Sequence, residues 1–536
     1  VSRVRKPRRR RKRTATAQSA DHAGNEAVAM AAAIAPRRIA GLDPTAPGFA
    51  PAFAAVLVLL VGLPLAAALN IWIDEAFTLH TTGFGVPYAW HESVVFELQP
   101  PLYFIIVAAW RLIDESSVLF ARFPSIVFAA AGAAVTVVSA RRLAPNLPPI
   151  ALACVTALNP IVIWAAVEMR AYALIFLIGA VLILTFVEGF LAADRSRRAQ
   201  MWYVIAGVAG LYTQYYVGFV LLAQAISLVA VRRGAVRPFL AAGVAIAVCF
   251  APFLPIVAQH VRESTGGDVR RVSVIRALHE MVNVSFSYAL PHDIGWHGYP
   301  KLLGFGLAAA LAAALLWFGR PALESRTRWL VLFWMTACLT FSAFFAVSGE
   351  AIDTRRHAIV LAPAVILAGY ALVSALSQRR LQLSRVVLGV YAIFTVGSLW
   401  WLYGPPLSKT GDWLRVAQQI SASGPNLPVA VFPSNTVYAL GWYLPAARYL
   451  PIPGPMPFDA KYLAAMTLHD QAQVAAALSS VPHGAEFWLV SDGSCDGGAT
   501  TYDFHCDDLE GYLSAHDGLL EHLQFHGADV KRFRVR

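Results

Sequence analysis

PAFAAVLVLLVGLPLAAALNIWIDEAFTLHTTG, Pro51 to Gly83, decides how the rest of the chain is read. Its first part, Pro51 to Leu69, carries no charge and is long enough to cross a bilayer, which takes ~20 apolar residues in a helix. Directly after it stand two adjacent carboxylates, Asp74 and Glu75, among aromatic and aliphatic neighbours that keep them at the lipid surface. Ionisable groups at a bilayer edge carry a desolvation cost, so their default reading is functional. The structural alternative is that Asp74 caps a short helix begun by Glu75.

The composition agrees with a membrane setting. Hydrophobic residues make up 57% of the chain and charged residues only 14%, and the mean hydropathy is +0.56. These values lie far from a soluble globular average and predict a polytopic membrane protein. Lys and Arg outnumber Asp and Glu by 43 to 32, but the basic residues fall in short clusters between apolar runs. There they report topology, not a nucleic-acid partner. The opening VSRVRKPRRRRKRT reads as a polybasic cytoplasmic segment facing membrane lipid, and residues 1–48 as a basic, disordered N-terminus. The run from Pro51 is too long for a signal-peptide core and no cleavage site follows it, so it is expected to stay as a span.

With the basic block inside, Pro51–Leu69 crosses outward and Asp74 and Glu75 face the extracytoplasmic side. Phe123–Ala140 ends at Arg141 and Arg142, and Pro149–Val167 ends at Glu168, which puts Glu168 outside too. The half-length run PPLYFIIVAAW, Pro100 to Trp110, must then be interfacial or re-entrant. Ala171–Val187 returns to Arg195, Arg197 and Arg198, and the uncharged stretch Met201–Val231 needs two spans with an outer turn at Tyr212–Tyr216. Pro238–Ala258, Leu302–Gly319, Trp329–Gly349, Ala358–Gln378 and Val386–Tyr403 complete the alternation. The expected total is about eleven spans over residues 49–403, with the C-terminus outside.

The exceptions to positive-inside placement are informative. Arg262, Arg270, Arg271 and Arg276 lie in an outer loop, where they either snorkel toward lipid phosphates or serve the site. Arg355, Arg356 and His357, on a short turn opening a helix, form an anion site suited to a phosphate group.

Asp74 with Glu75, then Gln99-Pro100-Pro101-Leu102-Tyr103, then Glu168-Met169-Arg170-Ala171-Tyr172, all on one face, resemble the lipid-phosphosugar-dependent glycosyltransferases of the GT-C fold. Within these the chain is similar to the protein O-mannosyltransferase, aminoarabinose transferase and lipopolysaccharide-core galacturonosyltransferase superfamily. The resemblance rests on motifs from Phe53 to Arg198 and on topology alone from there to Tyr403. It implies an inverting transferase that moves a hexosyl or pentosyl group from a polyprenyl-phosphate donor to a lipid, glycan or protein acceptor. Asp74 resembles the first-loop catalytic acid and Glu168 the second-loop acid; Glu75 accompanies them as a catalytic candidate. Gln99, Tyr103, Arg170 and Tyr172 are then substrate-binding candidates. Many relatives carry Gln-Glu-Ala-Arg-Met-Tyr where this chain has Val167 to Tyr172, and Arg170 is left without a fixed role. The implied location is the bacterial inner membrane.

The chemistry fits these residue types independently. An acceptor hydroxyl or amine attacking an oxocarbenium-like carbon needs a base, and a partly desolvated carboxylate can be one. A departing lipid phosphate needs fixed positive charge, for which Arg355 and Arg356 are suited. Asp74 and Glu168 could instead hold a divalent cation, Mg, Mn or Zn, on that phosphate. Readings from other classes are a transporter or lipid flippase; within the transferases, an O-antigen-type polymerase. Against transport, the acids cluster at outer helix ends and no pair of broken helices repeats between halves.

After Tyr403 the sequence turns mixed and polar. Strand-like LPVAVFPS from Leu427 and EFWLVSD from Glu486, with helix-like runs at Trp413–Ile420 and Lys461–Leu478, predict a small extracytoplasmic α/β domain over residues 404–536. Cys495 and Cys506 are the cysteines outside apolar spans. They form either a disulfide, which an oxidising compartment favours, or part of a metal site with Asp492, His505, Asp507 and Asp508. Cys154, Cys249 and Cys338 lie in spans and read as packing residues. No internal repeat, P-loop, dinucleotide fingerprint or compact metal motif is present.

Overall fold

The computed structural model describes residues 46–143, 148–264, 325–348, 356, 359–378, 380–404, 407–409, 411–459, 462–492 and 504–536. Helix α1 (Phe49–Ala68) is the first apolar run. Three short helices follow: α2 (Ile73–Thr81), α3 (Val86–Val95) and α4 (Leu102–Arg111), the last being the half-length apolar run. Next come α5 (Val118–Leu143), then α6 (Pro149–Ala157) and α7 (Pro160–Val167), which are separated by the Asn-Pro step and bent by 51°. Proline at 160 cannot continue α6, and the Asn159 side chain caps α7 by accepting from the Ile161 N–H.

Helices α8 (Tyr172–Phe186), α9 (Arg197–Leu211), α10 (Val217–Val231), α11 (Val236–Phe250) and α12 (Leu254–Ser264) continue the bundle. The turn between α9 and α10 falls at the Tyr212–Tyr216 cluster, as the charge alternation predicts. Helices α13 (Ser325–Ser348), α14 (Ala362–Ser377) and α15 (Leu381–Tyr403) close it. Among the described residues six helices are long and apolar enough to cross a membrane, or seven if the bent pair is one span, against the eleven expected. The expected span Leu302–Gly319 lies outside the described residues.

Small residues bring the backbones close where the site is organised. A Cβ on Gly179 of α8 would sit 2.2 Å from the Val360 carbonyl oxygen, and one on Gly132 of α5 2.5 Å from the Phe176 ring. Close approach of this kind is how apolar helices gain packing energy in lipid, where no hydrophobic force drives them together. It also sets the entry to α14 against α8, just after Arg356.

The C-terminal part contains α16 (Trp413–Ser423), β1 (Val429–Phe432), α17 (Thr436–Tyr443), β2 (Tyr449–Pro451), α18 (Tyr462–Met466), α19 (Gln471–Leu478), β3 (Glu486–Asp492), α20 (Cys506–His516), β4 (Asp517–Phe525) and β5 (Ala528–Val535). The sheet order is β2-β1-β3-β5-β4. Strand β1 runs parallel to β2 and β3, with Ala430 opposite both Leu450 and Leu489; β5 pairs antiparallel with β3 and β4. Because side chains alternate along a strand, the sheet has two apolar faces. Ala430, Phe432, Phe487 and Leu489 face one way and pack with Phe77 and Phe96. Val429, Val431, Trp488 and Val490 face the other and pack with Ile71, Ala76, Leu79 and Met169. Helix α2 therefore contributes apolar residues to both.

Cys506 is disulfide-bonded, while Cys154, Cys249 and Cys338 are free thiols. The expected partner, Cys495, lies outside the described residues.

Candidate active site

The two adjacent acids face different surroundings. Asp74 and Glu75 occupy the first turn of α2, where the helix dipole favours negative charge. Glu75 points inward and is fully buried. Arg122 of α5 donates to its two oxygens from Nε at 2.8 Å and from Nη2 at 2.6 Å. The other N–H groups of that guanidinium reach Ala66 O, Leu69 O and Asn70 O at 2.7 to 2.8 Å. Arg122 thus caps the end of α1, where orphan carbonyls attract a cation, and ties it to α2. Lys409 Nζ is 2.9 Å from Glu75 Oε2, and the Met169 N–H donates to Oε1 at 2.9 Å. Burial alone would raise the Glu75 carboxyl, but Arg122 and Lys409 outweigh it and hold the group at about 2.

Asp74 is the more open of the pair, its side chain 16% exposed. Arg356 Nη1 lies 3.2 Å from Asp74 Oδ2. The approach is an ion pair without hydrogen-bond alignment, so that buried oxygen accepts no hydrogen bond. The Arg356 guanidinium lies 5.1 Å from the centre of the Trp72 ring, and the Arg356 carbonyl accepts from Gln214 Nε2 at 2.6 Å. Trp72 in turn donates from Nε1 to Glu168 Oε2 at 2.5 Å.

Glu168 sits just past α7 and is buried. Lys409 Nζ is 3.0 Å from its Oε1 and also donates to the Val167 carbonyl at 2.9 Å. Burial raises the Glu168 carboxyl, with Lys409 opposing. Burial likewise lowers the Lys409 ammonium, reinforced by Arg122 and opposed by the two glutamates. Arg170 turns the other way and makes an ion pair with Glu97 at 2.9 Å. It also bonds Thr78 Oγ1 at 3.1 Å and lies over the Phe104 ring.

The structure therefore brings Asp74, Glu75, Glu168 and Arg356 into one linked group, with Arg170 bonded to the Asp74 carbonyl at 3.4 Å. Tyr103 is fully buried, its hydroxyl 2.9 Å from Ser125 Oγ. Tyr172 is buried and stacked on Trp164 at 4.7 Å. Gln99 is half-buried in the turn after α3, following Leu98 at φ 49°, a left-handed conformation a leucine seldom adopts. Arg355 and His357 lie outside the described residues.

The carboxylates expected as metal donors, Asp74 and Glu168, have different partners. Glu168 spends its oxygens on Lys409 and Trp72, and Asp74 faces Arg356. Among the described residues no group of three or more His, Cys, Asp or Glu could hold an ion.

Four participants escaped the sequence reading: Trp72, Glu97, Arg122 and Lys409. Arg122 had a signal, an arginine at the mouth of an apolar span. Trp72 and Glu97 had only their closeness to Asp74 and Gln99. Lys409 had none, because its partners lie hundreds of residues earlier in the chain.

No protein-family model and no curated protein matches the sequence. Solved structures do match. The apo structure of ArnT from Cupriavidus metallidurans superposes with a TM-score of 0.55 at 15% identity, over 90% of this chain and 97% of that one. The chain shares the ArnT fold. The complex of ArnT with undecaprenyl phosphate gives 0.54 at 15% identity, covering 91% and 98%. AglB from Archaeoglobus fulgidus, in complex with an inhibitory peptide and a dolichol-phosphate, gives 0.43 at 11% identity, over 89% of this chain and 74% of that one. ArnT is a GT-C glycosyltransferase, so the fold shared with it is the one implied by the Asp-Glu, Gln-Pro-Pro-Leu-Tyr and Glu-Met-Arg-Ala-Tyr segments.

Proposed function

We propose that this chain is an integral membrane glycosyltransferase of the inverting GT-C type. It moves a sugar from a polyprenyl-phosphate donor to an acceptor on the extracytoplasmic face of a bacterial inner membrane. The observation that carries the reading is the contact between Asp74 and Arg356, a partly open carboxylate beside an arginine, on a face built from outer helix ends. ArnT in complex with undecaprenyl phosphate supports the class of donor.

The step requires few groups. The acceptor oxygen or nitrogen attacks the anomeric carbon, and the bond from that carbon to the phosphate oxygen breaks with its electron pair leaving on the phosphate. Asp74 takes the acceptor's proton, and Arg356 meets the charge growing on the polyprenyl phosphate. Glu75 is assigned to architecture, because Arg122 and Lys409 occupy both its oxygens. Arg170 is assigned to holding α2 against Glu97.

Nucleotide sugars are not normally supplied outside the cytoplasm, so the donor must arrive on the lipid. The purified protein should transfer sugar from a polyprenyl monophosphate sugar and not from a nucleotide sugar. Turnover on the nucleotide sugar alone, with no prenyl lipid present, would overturn the reading.

A further inference from the structure

We propose that Lys409 is the built-in cation of the active site, occupying the place in which a divalent ion would otherwise gather the acidic oxygens. The inference rests on the transferase reading for its catalytic consequence, but not for the binding claim itself. Lys409 Nζ is surrounded by Glu75 Oε2 at 2.9 Å, Glu168 Oε1 at 3.0 Å and Val167 O at 2.9 Å. Two carboxylates and a backbone carbonyl are the oxygen types that hold hard cations. An ammonium carries three N–H donors and no acceptor, so three oxygens satisfy it completely. The side chain is 8% exposed, and those of Glu75 and Glu168 are 0% and 4% exposed.

Charge closes in the same way. Glu75 and Glu168 bring two negative charges, Arg122 and Lys409 two positive ones, and nothing remains for a metal to neutralise. The ammonium is also held in place through its own backbone. The Lys409 N–H donates to Asn70 Oδ1 at 2.7 Å, and Asn70 Nδ2 donates to the Gly411 carbonyl at 2.6 Å. These two hydrogen bonds to Asn70 fix the segment carrying the lysine just past the end of α1, close in the chain to Asp74.

The consequence is positional. Lys409 fixes one oxygen of Glu168, the other accepts from Trp72, and Trp72 lies under the Arg356 guanidinium. Lys409 is thus a positioning residue that reaches the donor phosphate through Glu168 and Trp72.

The test uses the full chain purified with chelator throughout. Wild type should contain no stoichiometric divalent metal, and its melting temperature should not respond to added Mg, Mn or Zn. Lys409→Ala should melt lower, and methylammonium, which restores the three N–H donors, should raise its melting temperature. Tetramethylammonium has the same charge and no donors, and should not. Turnover of Lys409→Ala should fall about 100-fold, the usual cost of displacing a supporting group by about 1 Å, and recover with methylammonium. Should Lys409→Ala fail to fold, Lys409→Met with Glu75→Gln keeps the cluster neutral and should fold with the same loss of turnover.

A stoichiometric metal in wild type that Glu168→Gln removes would overturn the proposal. So would equal responses to the two amines, or a charge-balanced double variant as active as wild type. If wild type transfers nothing from the lipid-linked sugar while the amine responses appear as stated, the transferase reading fails and the lysine assignment stands.

Discussion

Asp74 and Arg356, one just after the first apolar helix and the other just before α14, meet at 3.2 Å with the Trp72 ring beside the guanidinium. The pair gives each partner a separable role. Asp74→Asn keeps the shape and removes the base, so turnover should fall about 10³-fold, within the range general-base groups contribute. Donor affinity and melting temperature should change little. Steady-state kinetics with a polyprenyl-phosphate sugar decide it, and a variant within a few-fold of wild type would remove Asp74 from the mechanism.

Arg356→Ala should act on the donor. Loss of a charge-assisted contact to phosphate costs about 1.5 to 3 kcal/mol, or about ten- to a hundredfold in Kd. Binding of a fluorescent polyprenyl phosphate reads this directly. Arg356→Lys should recover part of the affinity, because the charge returns without the planar stacking on Trp72.

Glu75 and Arg122 make a stability prediction. Glu75→Gln leaves Arg122 and Lys409 buried with less negative charge to meet them, and breaking a buried pair in this way costs about 3 to 5 kcal/mol. Arg122→Met should be comparably severe and should also release the end of α1. The double variant should cost less than the sum of the two, since neither charge is then left alone. Additive losses in thermal denaturation would show that the pair does not act as a unit.

Acid should weaken the protein in two windows with different owners. His80 is stacked on Phe458 at 3.5 Å and its Nε2 is 2.8 Å from the Tyr88 hydroxyl. Burial lowers it from 6.5 to about 4. Between those values the unfolded chain binds a proton that the folded chain does not, so stability falls as pH drops from 6.5 to 4. His80→Phe should flatten that part of the curve. Glu75, depressed from 4.5 to about 2, stabilises fully above 4.5 and loses this as pH falls toward 2. Melting temperature against pH for the two variants should show the windows apart; an unchanged slope in His80→Phe between pH 6.5 and 4 would reject the first.

The topology predicts that Phe84→Cys, at a side chain 69% exposed just past α2, reacts with an impermeant thiol reagent from outside. Asp194→Cys, exposed in the turn before α9, should not. The reverse pattern would put the acids on the wrong face.

The helical part was legible because its signal is local. Uncharged runs and flanking arginines mark spans without reference to any partner, but the span expected over Pro149–Val167 is broken at Asn159-Pro160 and bent by 51°. In the C-terminal part β1 and β3 were legible as short apolar runs. Strand β2 is only Tyr449–Pro451, too short to show a period. The β4–β5 hairpin has a mixed, largely half-exposed pattern over DGLLEHLQF, so it does not stand out from surface sequence. At the site, the acids could be placed on one face but not told apart. Adjacent residues in a helix point about 100° from each other, and only the position of Arg122 decides which of Asp74 and Glu75 turns inward. Arg170 was ambiguous for the same reason, since its partner Glu97 belongs to another loop.

The bonds from Asn70 to Lys409 and Gly411, and the packing of α2 on both faces of the sheet, bear on the order in which a working molecule is made. Asp74 and Glu75 are synthesised early and, on the proposed topology, cross the membrane early, but Lys409 and the strands that enclose α2 follow α15. Until the last portion of chain arrives the acids have Arg122 and Arg356 but lack Lys409. Maturation is then a late event, and a chain stalled after α15 would be inserted in the bilayer yet lack both Lys409 and the sheet that packs on α2.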